Sequence, residues 1–131
     1  MTTTNRTAAA LELLITHLKD TGVPIYTGLA PENTNYPFIL VQTYLTTDYL
    51  ATTKHSAMSL VEVVVRVVGL GQPMGSEDLN NKVYDAINGI TEQNSRGYVT
   101  GIQRIRERME VVDSDSGIQH EWISNWEMVV S

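Results

Sequence analysis

Three absences limit what this chain can do: it has no cysteine, no long apolar run and little positive charge. Because there is no cysteine among its 131 residues, a disulfide framework and every thiolate metal site are excluded. No segment has the roughly 20 consecutive apolar residues that a membrane helix requires, so we expect no membrane partner. Lys and Arg number 9 against 15 Asp and Glu, which gives a net charge of −6. Stable wrapping on DNA needs the opposite balance, whereas DNA that only slides past is compatible with it.

Sequence motifs for catalysis and cofactor binding are also missing. The glycine-rich residues 69–75 lie between a predicted strand and a predicted helix, but their third glycine comes one residue too late for a dinucleotide loop. Pro73 also removes a backbone donor that such a loop would use. His120 and Glu121 begin like a zinc-protease motif, yet Ser124 stands where the second histidine is required. We therefore predict no enzymatic activity, no cofactor and no metal site.

Apolar periodicity predicts a single α+β domain over residues 1–131. Residues 1–7 are polar and rich in threonine, so we expect them to be flexible. Apolar spacings of three and four predict helices, and strict alternation predicts strands. The expected elements are a helix over 8–19, strands over 37–47 and 58–68, a helix over 77–90, and hairpin strands over 98–112 and 119–130. The order α-β-β-α-β-β indicates a mainly antiparallel four-stranded sheet packed against two helices.

Side-chain patterns also predict which residues are buried and where the second helix begins. Trp122 and Trp126 should share one face of the last strand. Ser76 precedes two acidic residues and should cap the second helix. In the first helix, the predicted apolar stripe consists of Ala8, Leu11, Leu14, Ile15 and Leu18.

Positive charge is concentrated in and just before the first strand of the final hairpin. Arg96, Arg104, Arg106 and Arg108 lie there, and the last three, at period two, should project from one strand face. One interpretation is a solvated outer face of an edge hairpin. Another is a subunit contact, in which this stripe meets carboxylates of the next copy; the candidate carboxylates are Glu110, Asp113 and Asp115. A channel lining that guides DNA is a third interpretation.

A second candidate contact is the polar turn predicted between the first two long strands. Tyr49 and Leu50 are apolar residues in this turn, and Lys54 and His55 follow them. The two apolar side chains either fold back onto the core or insert into a neighbouring subunit, as exposed aromatic anchors do.

In the order of its weak motifs, the chain resembles the tail-terminator or tail-completion family of long-tailed phages. The resemblance covers most of the length, from the N-terminal helix to the final hairpin. The residues that carry it are Ile25-Tyr26-Thr27-Gly28, Pro31, Tyr36-Pro37-Phe38-Ile39 and the helix around Leu79-Asn80-Asn81-Lys82-Val83-Tyr84-Asp85-Ala86-Ile87. The sequence departs from the family in having Thr27 where an acidic residue is common, and in a longer middle turn.

The resemblance implies a virion structural protein of the tail and neck, made in the host cytoplasm. It implies a homo-hexameric ring at the head-proximal end of the tail tube, which ends tube growth and joins the tail to the head connector. The implied partners are other copies of the chain, the tail tube protein and the connector or stopper protein, with DNA passing through the lumen. Two alternatives stay open: a head-completion or stopper protein of the neck, and a small ligand-binding or enzymatic α+β domain.

Overall fold

In the described part of the chain, six strands form one sheet, and two helices cover one of its faces. The structure is a computed structural model that describes residues 6–32, 34–50, 57–94, 97–114 and 117–131. The elements are α1 (Arg6–Leu18), β1 (Ile25–Thr27), β2 (Phe38–Leu50), β3 (Ala57–Leu70), α2 (Glu77–Ile87), β4 (Glu92–Asn94), β5 (Gly97–Ser114) and β6 (Gly117–Val130). The strand order across the sheet is β1-β2-β3-β6-β5-β4.

The α+β class and the two helices are as predicted, but the four-stranded sheet is a correction. All four predicted long strands are present, and two three-residue strands extend the sheet at its edges. β1 runs parallel to β2, with Ile25 opposite Ile39, whereas the other neighbouring pairs are antiparallel. Three residues are too few for alternation to stand out, and β4 is the polar sequence Glu92-Gln93-Asn94, which has low intrinsic strand preference.

The predicted flexible N-terminal segment is wrong for its last two residues. Arg6 and Thr7 form the first turn of α1, where the Thr7 and Thr46 hydroxyls lie 2.8 Å apart. Residues 1–5 lie outside the described part of the chain. Within that part, neither helix has the length and apolar character needed to cross a bilayer.

The hydrophobic core lies between the helices and one face of the sheet, which we call the helix face. Its centre is Trp126, which is fully buried and stacks on Tyr84 of α2 with ring centroids 5.8 Å apart. The Trp126 indole donates a 2.8 Å hydrogen bond to Ser124 Oγ, which in turn donates to the carbonyl of Val65. The alternating valines of β3 lie beside them: Val61, Val63, Val65 and Val67 are all fully buried.

The opposite face of the sheet, which we call the open face, has no described helix on it and carries polar side chains beside apolar ones. Arg66 donates to Gln42 at 3.2 Å and forms a 2.9 Å ion pair with Glu121, which joins β2, β3 and β6. Ile123 lies directly opposite Arg66 and is only 1% exposed. Long charged side chains can cover apolar surface in this way, because their stems are hydrocarbon.

Two β-bulges in β5 change the direction of its side chains. At Gly101 and Ile102, and again at Ile105, the register against β6 shifts by one residue. Gly101 has φ +64°, a left-handed conformation that glycine adopts without steric cost. Because side chains alternate with period two, each extra residue reverses the face to which the following residues point.

Candidate subunit interface

The outer edge of β5 is the most exposed regular element of the described chain. β4 pairs with β5 only at residues 97–99, and the Ile102 carbonyl accepts from the Gly89 amide. From 103 to 113 every residue is exposed, and no described strand pairs with the outer side of this segment. We call residues 103–113 the β5 free edge. A strand edge with unpaired N–H and C=O groups is a template for another strand.

Apolar side chains lie along the β5 free edge, where isolated proteins usually place charges. Ile105 and Met109 are 40% and 42% exposed, and Val111 and Val112 are 54% and 47% exposed. Natural sheets avoid long apolar edges because such edges associate. Charged side chains alternate with these apolar ones, so the edge offers a mixed apolar and charged surface to a contact; the charged residues are Arg104, Arg106, Glu107, Arg108, Glu110 and Asp113.

The predicted arginine stripe is split between the two faces of the sheet. Arg104 lies opposite the buried Trp126 and points to the helix face, whereas Arg106 lies opposite Asn125 and points to the open face. The extra residue between them, Ile105, is the cause, since a bulge reverses the alternation. The prediction that three arginines share one face is therefore wrong.

Arg104 has partners within its own chain. Its guanidinium lies 4.6 Å from the centroid of the Tyr84 ring and forms an ion pair with Glu107. Asn80 of α2 donates to the same Glu107 carboxylate at 3.4 Å. These contacts join β5 to α2, so the first function of Arg104 is to position the helix against the hairpin.

Arg106 and Arg108 remain on the open face, opposite Asn125 and Ile123 of β6. Arg108 Nε lies 3.1 Å from the Glu110 carboxylate, and both side chains are about half exposed. Arg106 forms no ion pair with any described residue. Of the three arginines in the predicted stripe, Arg106 is therefore the one best placed to pair with a carboxylate of another molecule.

The other predicted contact residues are placed as follows. Asp113 is exposed and lies opposite Ile118 near the hairpin turn. Tyr49 and Leu50 belong to β2 and pair with Met58 and Ala57, so the predicted turn begins later than expected; their side chains are not described. Arg96, Asp115, Lys54 and His55 lie outside the described residues.

The edge of β2 is an interface candidate of which the sequence indicated only Tyr49 and Leu50, assigned there to a turn. β1 pairs with residues 39–41, and the Gly28 amide donates to the Val41 carbonyl. Beyond this point no described strand pairs with the outer side of residues 43–50, which we call the β2 free edge. Tyr44 is 67% exposed at a bulge, and Leu45 is 52% exposed. The signal in the sequence was two large apolar residues, Tyr44 and Leu45, between two threonines.

The one serine–histidine pair of the described chain lies at the other end of the sheet. Ser76 Oγ is hydrogen-bonded to His120 Nε2, and His120 Nδ1 lies 3.0 Å from the Gly71 carbonyl. A proton on Nδ1 donated to that carbonyl leaves Nε2 to accept from the serine. The pair borders a recess of about 230 Å³, but Ser76 is 5% and His120 1% exposed.

This pair has a clear packing role. A Cβ on Gly69 would lie 2.7 Å from His120 Nε2, so the imidazole fills the space that this glycine leaves. Its two hydrogen bonds tie β6 to the turn before α2. Ser76 is at the predicted N-cap position, yet its hydroxyl makes no capping bond, because it is engaged by His120. Among the described residues, no three His, Asp or Glu side chains are grouped to hold a metal ion.

Comparison with known proteins gives a match at the level of structure. No family model matches the chain, and no curated protein matches it. Among solved structures, the fold is similar to that of a chain in the virion of a native gene transfer agent (GTA) particle, with a TM-score of 0.66. The two share 19% identity, and the alignment covers 95% of this chain and 94% of the other. At this identity the likeness shows a common fold.

Proposed function

We propose that the chain is a virion structural protein whose copies form a ring of six at the head-proximal end of a phage tail tube. The observation that carries this proposal is the fold match along nearly the whole chain to a component of a virion particle. It agrees with the family resemblance of the sequence motifs, which points to tail terminators. The ring would end tube growth and join the tail to the head connector.

The exposed surfaces support self-association. A ring needs two different surfaces on each subunit that fit one another head to tail. The β5 free edge and the β2 free edge lie on opposite margins of the same sheet, and both carry exposed apolar residues such as Val111 and Tyr44. A subunit with two such margins can bind one copy on each side.

The charge of the chain suits a channel through which DNA passes. The net charge is −6, with 15 Asp and Glu against 9 Lys and Arg. Acidic walls repel phosphate, so DNA would move past without sticking. The tail tube protein would contact one rim of the ring and the connector protein the other.

The test is the mass of the purified protein alone and with the tail tube protein, measured by light scattering and checked by negative-stain images. We expect a species of six times the 14.6 kDa of one chain, seen as a ring. Monomers at every concentration, with and without tube protein, would contradict the proposal. A ring that binds the connector protein but not the tube protein would assign the chain to the neck as a stopper.

A further inference from the structure

The strands at the two free edges run in the directions needed for them to pair with each other between copies. The inference drawn from this rests on the proposed ring. We propose that the β5 free edge of one subunit forms an antiparallel ladder with the β2 free edge of the next, so that one sheet continues from copy to copy. Inside each subunit, β2, β3, β6 and β5 are neighbours in that order and alternate in direction. β5 therefore runs in the opposite direction to β2. When the next copy has the same orientation, its β2 free edge is antiparallel to the β5 free edge of the first copy.

The registers inside the subunit set the stagger of this junction. The paired residues can be traced from β2 through β3 and β6 to β5. This places Thr43 at the same height along the strand direction as Arg104, and Asp48 at the same height as Val99. Residues 97–99 are already covered by β4, so the β2 free edge has to meet β5 further along, within residues 103–113. Each copy is thereby displaced along the strand direction relative to the last. A constant stagger at each junction is what a sheet needs to close on itself.

The side chains at the two edges favour this partner over an unrelated strand. Tyr44 and Leu45 on β2, and Met109, Val111 and Val112 on β5, are exposed in the single chain and would be covered together at one junction. Cross-strand aromatic and β-branched pairs are the favourable contacts of antiparallel sheets. Pairing of β5 with β5 would leave the β2 free edge unused and would stop at a dimer.

Charged substitutions at each edge test the pairing direction. We expect Val111→Lys and Tyr44→Lys each to abolish the ring, because each puts a lysine in place of an exposed apolar side chain of the paired segment, and lysine on an edge opposes strand addition. Each variant keeps one intact edge, so an equimolar mixture of the two should give a heterodimer and nothing larger. Met74→Lys is the matched control, since Met74 is 72% exposed in the turn before α2 and belongs to neither edge; it should assemble as the wild type does.

The absence of cysteine allows a second measurement that does not depend on blocking assembly. Tyr44→Cys would be mixed in turn with Met109→Cys, Val111→Cys and Val112→Cys, and oxidised. A disulfide needs Cα atoms within about 7 Å, so at least one mixture should yield a covalent dimer, while each variant alone yields none.

The outcomes separate this inference from the proposed function. Rings formed by both lysine variants, with no cross-link in any mixture, would overturn the edge pairing and leave the ring intact. Self-dimers of Tyr44→Lys, with no heterodimer in the mixture, would show β5 pairing with β5 and overturn it as well. A wild-type chain that stays monomeric even with tube protein would overturn both proposals.

Discussion

Replacing Gly69 by alanine tests the packing at the end of the sheet most directly. The added Cβ would lie 2.7 Å from His120 Nε2 and 2.8 Å from its Cε1, well inside ordinary carbon contact distances of about 3.5–4 Å. The imidazole cannot move without cost, because it is 1% exposed and bonded through both nitrogens, to Ser76 and to the Gly71 carbonyl. Relief of the clash therefore breaks at least one of these bonds.

The expected loss can be worked out from these contacts. Overpacking a filled core position costs about 1–3 kcal/mol, and leaving a buried polar group without its partner costs about 1–3 kcal/mol more. Alanine in place of glycine also lowers the conformational entropy of the unfolded chain, which stabilises the folded state by about 0.4–1 kcal/mol. We expect the free energy of unfolding to fall by about 2–4 kcal/mol, a large part of the roughly 5–15 kcal/mol of a typical domain.

Urea unfolding followed by tryptophan fluorescence measures this change. Trp122 donates to the Pro73 carbonyl at 3.3 Å, so the signal comes from the region that is altered. Gly75→Ala is the matched control, because nothing lies within 4 Å of a Cβ there and its φ is not positive; its effect should stay within about 0.5 kcal/mol.

A double-mutant cycle gives the result that would refute this reasoning. His120→Ala removes the side chain that the new methyl group meets, so Gly69→Ala should cost little in that background, with a coupling of at least about 1 kcal/mol. If Gly69→Ala costs as much without the imidazole as with it, the clash is not the cause. A cost below about 0.5 kcal/mol in the wild type would show that the imidazole moves freely.

Two further predictions concern charged residues. Arg104→Ala should lower the free energy of unfolding by about 1 kcal/mol, because it loses a cation–π contact and a partly exposed ion pair. Arg106→Ala should change the free energy of unfolding by less than about 0.5 kcal/mol and weaken ring formation instead. Equal losses of stability in urea titrations would contradict the placement of the two arginines on different faces of the sheet. Glu62→Lys should stabilise the chain by about 0.5 kcal/mol at low salt, since like charges directly opposite one another, here Glu62 and Glu127, repel. The gain should shrink as salt is added, and a gain that does not depend on salt would rule out the charge explanation.

The sequence was a good guide to the long elements because their signals are local. Alternating valines in β3 and the paired tryptophans of β6 mark strands whose buried face follows from period two alone. The first helix was less well defined. Apolar residues run almost without a break from Ala8 to Ile15, so the stripe was placed on Ala8 and Leu11, whereas the structure buries Ala9, Ala10 and Leu13.

What could not be predicted depends on partners distant in sequence. The bulge at Ile105 is set by the pairing of β5 with β6 and leaves no mark in the alternation, so Arg104 and Arg106 appeared to share a face. Ser76 was placed correctly at the helix start, but its hydroxyl bonds to a histidine 44 positions away. The β2 free edge follows from how short β1 is, and three residues give no periodic signal.

In the proposed ring, the pairing of β3 with β6 would decide when a chain can assemble. The β2–β3 and β5–β6 hairpins each close locally, and within the sheet they are joined by the β3–β6 ladder, which runs from the pair Ser59–Val130 to the pair Leu70–Gln119. On the ribosome, the valine-rich inner edge of β3 therefore has no neighbour until residues 117–130 have emerged, and such an edge invites pairing with other nascent chains. Only after β3 has paired with β6 are the two outer margins of the sheet held in a fixed relation, so partly synthesised chains would be kept out of the proposed ring.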